Sequence, residues 1–178
     1  MKDTISMVIA GYGGQGILFS GKVAAYAGLI DGKEVSWFPS YGPEMRGGSA
    51  ACTVCISSDP IASPYIMHPD YLAALNQLAF NKYIGLVDQG GVVVYDSAII
   101  NGATDRGDLN MFGVDAVTIA EENGIRGLAN MVITGKLYKE LAFCSFGALE
   151  KAVEKSVPEG RTQLVALNMK AIQLGVES

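Results

Sequence analysis

Apolar residues fall into two kinds of pattern along the chain. Short runs dense in β-branched and aromatic side chains cover residues 4–10, Val35–Phe38, Ala50–Ile56, Val92–Tyr95 and Val114–Ile119, and these read as strands. Between them, apolar residues recur at three- and four-residue spacing. That period predicts helices over residues 15–30, Tyr71–Tyr83 (through Leu72, Leu75, Leu78 and Ala79), Leu128–Glu140, Phe146–Lys155 and Arg161–Leu174. Asp31-Gly32, Gly90-Gly91 and Pro158-Glu159-Gly160 punctuate the pattern as turns. Residues 63–70 and the polar stretch 101–111 read as loops, and Pro39–Gly48 is too rich in Gly and Pro for regular structure. Strands alternating with helices imply an α/β fold with a mainly parallel sheet. The expectation is one domain spanning residues 1–178, a three-layer Rossmann-like sandwich.

The first strand and helix are joined by Gly11-Tyr12-Gly13-Gly14-Gln15-Gly16. Glycines let the backbone turn sharply and approach a ligand closely. The helix behind them aims free N–H groups and the positive end of its dipole at the loop, which suits a phosphate or another anion. Small residues Gly21, Ala24, Ala25 and Gly28 let that helix lie close on a sheet. The spacing Gly11-x-Gly13-x-x-Gly16 matches the dinucleotide fingerprint, which also requires an acid at the end of the second strand. Here the second strand ends in Phe38-Pro39-Ser40, and Glu34 lies at its other end. The missing acid argues against NAD and leaves an anion of another kind, or a tight turn with no ligand.

In open α/β sheets the ligand crevice lies at the carboxyl ends of the strands. Gly11–Gly16 and Tyr41–Gly48 both follow strands, so both are placed on that edge. Arg46, flanked by Gly47 and Gly48, has the chemistry to hold a phosphate or carboxylate bidentately, or to pair with Glu44 against a partner surface. Tyr41 can stack or hydrogen-bond there, or simply pack.

Composition narrows the choice. The 178 residues are 49% hydrophobic and 17% charged, below the ~25% charge usual for a soluble domain. Surplus apolar surface of this kind suits contact with partner subunits as well as scattered exposure. Net charge is −5 with no basic stripe, which argues against nucleic acid. No apolar run reaches ~18 residues and no leader-like segment is present, so the expectation is no membrane span and a cytoplasmic location. Cys52 and Cys55 spell a CxxC motif. Residues three apart on a strand face opposite sides, so that pair is expected neither to chelate one ion nor to form a disulfide; Cys144 stands apart. His68, Asp88 and Asp96 fit loop or turn roles, while Asn130 and Asn168 sit in otherwise apolar helices and need a hydrogen-bonding reason. No Ser–His–Asp order, phosphate-loop lysine or metal-ligand cluster is evident, so no self-sufficient catalytic set is expected.

Taken in order, Gly11–Gly16, Ser40–Gly48, Pro69-Asp70 with Ala74-Leu75-Asn76-Gln77, Gly90-Gly91 with Asp96-Ser97, Asn130-Met131, and Asn168 with Ala171 and Gly175 resemble the gamma subunit of 2-oxoacid:ferredoxin oxidoreductases. The resemblance spans nearly the whole chain and is weakest over residues 101–115. The form Tyr41-Gly42-Pro43-Glu44-Met45-Arg46-Gly47-Gly48 resembles 2-oxoglutarate-type subunits; pyruvate- and ketoisovalerate-type subunits tend towards Glu-Arg-Arg-Gly-Ala.

The resemblance implies oxidative decarboxylation of a 2-oxoacid with coenzyme A, giving an acyl-CoA, CO2 and reduced ferredoxin. It implies thiamine diphosphate with Mg2+ and iron–sulfur clusters held by partner subunits: alpha, beta and, where present, a ferredoxin-like delta subunit. A cluster needs four cysteines, and this chain has three. On this reading the chain assembles with the catalytic subunits and helps form the cofactor or coenzyme A site. Gly11, Gly13, Gly14, Gln15, Gly16, Tyr41, Arg46 and Gly47 are the expected contact residues, no catalytic residue is expected, and the chain alone is inactive. An NAD-binding oxidoreductase domain and a non-catalytic adaptor are the alternatives.

Overall fold

The computed structural model describes residues 4–41 and 49–178, with Tyr41 described by its backbone alone. The elements run β1 (Thr4–Tyr12), α1 (Ile17–Ile30), β2 (Glu34–Tyr41), β3 (Ser49–Ser57), β4 (Tyr71–Ala74), α2 (Gln77–Tyr83) with a 3-10 turn at Ile84–Leu86, β5 (Val92–Asp96), β6 (Asn110–Val114), α3 (Ala116–Glu122), α4 (Ala129–Leu141), α5 (Phe146–Ser156) and α6 (Gln163–Glu177). The six strands form one sheet in the order β2-β3-β1-β4-β5-β6. The pairs β1–β4, β4–β5 and β5–β6 are parallel, and β3 runs antiparallel to both its neighbours, β2 and β1. Five strands therefore share one direction, as the mainly parallel expectation requires.

Period-2 alternation sends strand residues to two faces. Met7 and Ile9 of β1, with Cys52, Val54 and Ile56 of β3, pack under a layer made by α1, α3, α4, α5 and α6. Val8, Ala10, Ala51, Leu72, Ala74 and Val93 point the other way, where α2 supplies Ala79 and Phe80 and the following turn supplies Val87. The sandwich has three layers of unequal weight. The close approach of α1 to the sheet is visible at Gly21, where a Cβ would collide with Cys52 Sγ. Helices α4 and α6 cross equally tightly: a Cβ on Gly135 or Gly175 would run into the opposite helix backbone.

Three expectations are corrected. Pro39-Ser40-Tyr41, expected to be irregular, continues β2 because backbone pairing with Cys52, Ala51 and Ala50 of β3 holds it, and as an edge strand β2 tolerates Pro39. Tyr71–Tyr83 is a strand followed by a helix, because Leu72-Ala73-Ala74 is a fully buried parallel strand and such strands carry unbroken apolar runs without alternation. Asn76 then starts α2, its side chain accepting a hydrogen bond from Ala79 N at 2.8 Å. Val114–Ile119 is the end of β6 followed by α3, and β6 begins inside the stretch expected to be loop. Asn110 and Gly113 weaken the strand signal there, while backbone pairing with β5 supplies the order.

Candidate functional site

Tyr12 O accepts a hydrogen bond from Gln15 N at 3.1 Å, closing a turn over Gly13 and Gly14. Gly14 has φ +102° and open space around its missing Cβ, so its backbone angle is what calls for glycine. Gly16, with φ +76°, caps α1; a Cβ there would lie 2.5 Å from Asn130 Nδ2.

Gln15 braces the loop. Its Oε1 accepts from Tyr12 N at 2.7 Å and from Asn76 Nδ2 at 3.2 Å, and its Nε2 donates to Leu75 O at 2.8 Å. The buried amide of Asn130 donates to Gly16 O at 3.2 Å and to Ser20 Oγ at 3.1 Å, which is the hydrogen-bonding reason its place in an apolar helix demanded.

A crevice of about 270 Å3 opens beside this loop, lined by Gly14, Gln15, Asp96, Glu121, Arg126 and Asn130 together with apolar residues. Gly16 caps α1 and Asn130 is the second residue of α4, so the N-termini of a 14-residue and a 13-residue helix meet here. Neither helix has a side-chain cap. Their first-turn N–H groups and dipole ends add positive potential to a lining that carries the carboxylates of Asp96 and Glu121. Arg126 adds a guanidinium at the rim, 87% exposed and 3.3 Å from Glu121, where water screens the pair.

Asp96 sits at the floor. Its Oδ1 accepts from Ala98 N at 3.1 Å and Ala116 N at 3.2 Å. Burial pushes its carboxyl above the usual range, and those N–H bonds pull it partly back. It ends β5, two strands from β1, and no acid closes β2. The ribose-binding acid of a dinucleotide site is absent from the position where the fingerprint places it.

The second expected loop begins on the same edge. Gly11 of β1, Ala50 of β3 and Tyr41 of β2 form one row across three strands. Arg46 and Gly47, and the side chain of Tyr41, lie outside the described residues. The cysteines behave as the strand geometry requires: Cys52 faces the helical layer with its Sγ 3.6 Å from Ile17 O, Cys55 lies on the opposite face, and all three thiols are free. They do not fit the donor set of an iron–sulfur cluster. His68 is exposed and away from the crevice, its Nδ1 3.3 Å from Leu86 O. Arg126 and the meeting of two helix N-termini went unnoticed in the sequence, and Asn76 was singled out there only for its place in the family resemblance. The Asn76-x-x-Ala79 cap was readable locally, whereas the contact between residues 16 and 130 arises only from topology.

Among known proteins, the model of the pyruvate ferredoxin/flavodoxin oxidoreductase family matches residues 6–178. The chain belongs to this family. Subunit KorC of 2-oxoglutarate synthase from Methanocaldococcus jannaschii is 37% identical over 95% of this chain and 90% of its own length. Subunit VorA of ketoisovalerate oxidoreductase from Methanothermobacter marburgensis is 34% identical over 97% of this chain, which spans only 36% of VorA. The gamma subunit of a keto/oxoacid ferredoxin oxidoreductase from Geobacter sulfurreducens superposes with a TM-score of 0.85 at 34% identity, covering 98% of this chain and 95% of that one. A 2-oxoglutarate:ferredoxin oxidoreductase from Magnetococcus marinus, solved with 2-oxoglutarate, coenzyme A and succinyl-CoA bound, gives a TM-score of 0.87 at 25% identity, covering 98% of this chain and 31% of that one. Within this oxidoreductase family the gamma-type fold is thus both a separate chain and part of longer ones. The dinucleotide-domain and adaptor readings are not favoured. Among the described residues no helix is long and apolar enough to cross a membrane.

Proposed function

We propose that residues 1–178 form one gamma-type domain of a multi-subunit, cytoplasmic 2-oxoacid:ferredoxin oxidoreductase. The assembled enzyme oxidatively decarboxylates 2-oxoglutarate with coenzyme A, releasing an acyl-CoA and CO2 and passing the electrons to ferredoxin. Thiamine diphosphate, Mg2+ and the iron–sulfur clusters belong to its alpha, beta and ferredoxin-like partners; the three cysteines here, two on opposite sheet faces, do not supply a cluster's ligands. KorC-type relatives at up to 37% identity support 2-oxoglutarate as the substrate, as does the Glu44-Met45-Arg46-Gly47-Gly48 sequence.

The observation that carries the role of this chain is the meeting of two uncapped helix N-termini at the glycine loop. On this reading the helix ends take up an anion against the neighbouring Asp96 and Glu121 carboxylates, and the phosphates of coenzyme A are the anions the reaction supplies. Gly11, Gly13, Gly14, Gln15 and Gly16 shape the mouth. Tyr41, Arg46 and Gly47 are assigned to the same site on their sequence alone. The test is steady-state kinetics of the assembled enzyme: Arg46→Ala raises the KM for coenzyme A and leaves the KM for 2-oxoglutarate unchanged. An unchanged KM for coenzyme A with intact assembly refutes the Arg46 role. The isolated chain turns over nothing in a 2-oxoglutarate-dependent dye-reduction assay, and turnover by it alone refutes the subunit reading.

A further inference from the structure

The glycine loop borders two hollows. The crevice described above opens on the side where α3 and α4 supply Val117, Ala120 and Asn130. On the α2 side of the sheet a cavity of about 140 Å3 opens at the ends of β1 and β3, lined by Gly11, Tyr12, Ser49, Asn76, Lys82 and Tyr83 with apolar neighbours. Tyr12 borders the cavity and Gly14 the crevice, two residues of chain apart, at most about 7 Å. The amide pair of Gln15 and Asn76 stands between them, Gln15 lining the crevice and Asn76 the cavity.

The two hollows differ in charge. The crevice carries Asp96 and Glu121 beside Arg126. The cavity carries Lys82 and no carboxylate, in a chain of net charge −5. Lys82 lies in the last turn of α2, its Nζ 4.9 Å from the centre of the Tyr83 ring, and it makes no ion pair among the described residues. The ring holds the ammonium at the rim without neutralising it. An ammonium on a flexible stem takes a phosphate as a compact point charge. Tyr12, Leu78 and Tyr83 give the same cavity an aromatic and apolar wall, which suits a planar base beside that phosphate.

Coenzyme A matches this pair of hollows. It carries a diphosphate in mid-molecule and, at its adenosine end, a ribose 3′-phosphate next to adenine. We propose that Lys82 receives the 3′-phosphate, while the diphosphate lies at the two helix N-termini. The ligand then straddles the glycine loop, with the Gln15–Asn76 pair beneath it. The proposal rests on the coenzyme reading above and deepens it: it names the side chain that tells coenzyme A from its 3′-dephospho form.

The experiment measures the KM of the assembled enzyme for coenzyme A and for 3′-dephospho-coenzyme A at fixed ionic strength. It compares wild type, Lys82→Ala, Lys82→Arg and a control, Lys22→Ala. Lys22 also lies over a tyrosine ring, 5.5 Å from the centre of Tyr26, but it sits on α1 and lines neither hollow. In the wild type the KM for coenzyme A is expected to be at least tenfold the lower, the size of one charge-assisted phosphate contact. Lys82→Ala brings the two values within about twofold of each other, Lys82→Arg restores most of the gap, and Lys22→Ala keeps it whole. If Lys82→Ala does not assemble, Lys82→Met carries the same comparison, because it keeps an apolar stem on Tyr83 without the charge. A wild-type gap that survives the loss of Lys82, or no gap in the wild type, overturns the Lys82 assignment and leaves the coenzyme reading standing. Equal loss in Lys22→Ala overturns it too, since a general field effect then explains the change. An assembled wild-type enzyme that uses neither form overturns the coenzyme reading and this inference with it.

Discussion

Gln15 and Asn76 join two strand ends across the site: Asn76 Nδ2 donates to Gln15 Oε1 at 3.2 Å while Asn76 Oδ1 accepts from Ala79 N at 2.8 Å. One residue closes the glycine loop and the other starts α2, so loop and helix share a single amide pair. Gln15→Ala removes the partner of Tyr12 N and Leu75 O at once. The expected cost is about 1–3 kcal/mol of unfolding free energy, read from urea denaturation. A cost below ~0.5 kcal/mol contradicts the bracing role.

Gly16 and Asn130 are coupled by space as well as by hydrogen bonding. Gly16→Ala places a methyl group on a left-handed backbone and against the Asn130 amide, so destabilisation of about 2 kcal/mol or more follows. The same substitution in an Asn130→Ala background costs less, because the clash is gone and only the backbone penalty remains. A double-mutant cycle by chemical denaturation measures the difference, expected between ~0.5 and ~3 kcal/mol. Strict additivity refutes the contact.

Asp96 makes stability depend on pH. Its carboxyl is raised in the folded state, chiefly by burial. Between its unfolded value of about 3.9 and the raised folded one, the native state holds more protons than the unfolded state. This group's contribution is therefore fully present at acid pH and is lost as pH rises through the folded value. Asp96→Asn keeps an acceptor for Ala98 N and Ala116 N without the buried charge. The stability of Asp96→Asn relative to wild type is expected to improve from pH 4 to pH 7 in guanidinium titrations. A pH-independent difference refutes the assignment.

Burial pushes the thiols of Cys52 and Cys144 up to about 12. At pH 8 both are therefore almost wholly protonated, and the thiolate is the reactive form. Iodoacetamide at pH 8 leaves both unmodified in the folded protein and labels both after denaturation, as peptide mass spectrometry reports. Rapid labelling of Cys52 in the native state contradicts its placement beneath α1.

The strand–loop–helix opening was legible because three local signals agree there: an apolar run, glycines at turn positions and a helical period. The cysteine pair was legible for a similar reason, since strand alternation alone puts Cys52 and Cys55 on opposite faces. The segment from Tyr71 to Tyr83 was not. Leu72, Leu75, Leu78 and Ala79 satisfy a helical period by coincidence, because β4 is buried on both faces and shows no alternation. The glycines of the site, Asn76 and Asn130 were singled out in the sequence, but the contacts that join them were not. Asn130 lies 114 residues from Gly16, and only the packing of α4 beside α1 brings the two helix ends together.

The reversed direction of β3 has an experimental consequence. Eight residue pairs, from Glu34 opposite Ser57 to Tyr41 opposite Ala50, lock β2 and β3 in register, and β3 is locked again to β1 along all nine of its residues. The stretch between Tyr41 and Ser49 therefore starts and finishes on one rim of an already determined frame. Both anchors of the link are thus set by strand pairing and not by the residues of the link itself. Sequence swaps between family members in that link are expected to leave the unfolding midpoint unchanged, so that any change in substrate or coenzyme preference reports on recognition; a shifted midpoint contradicts this.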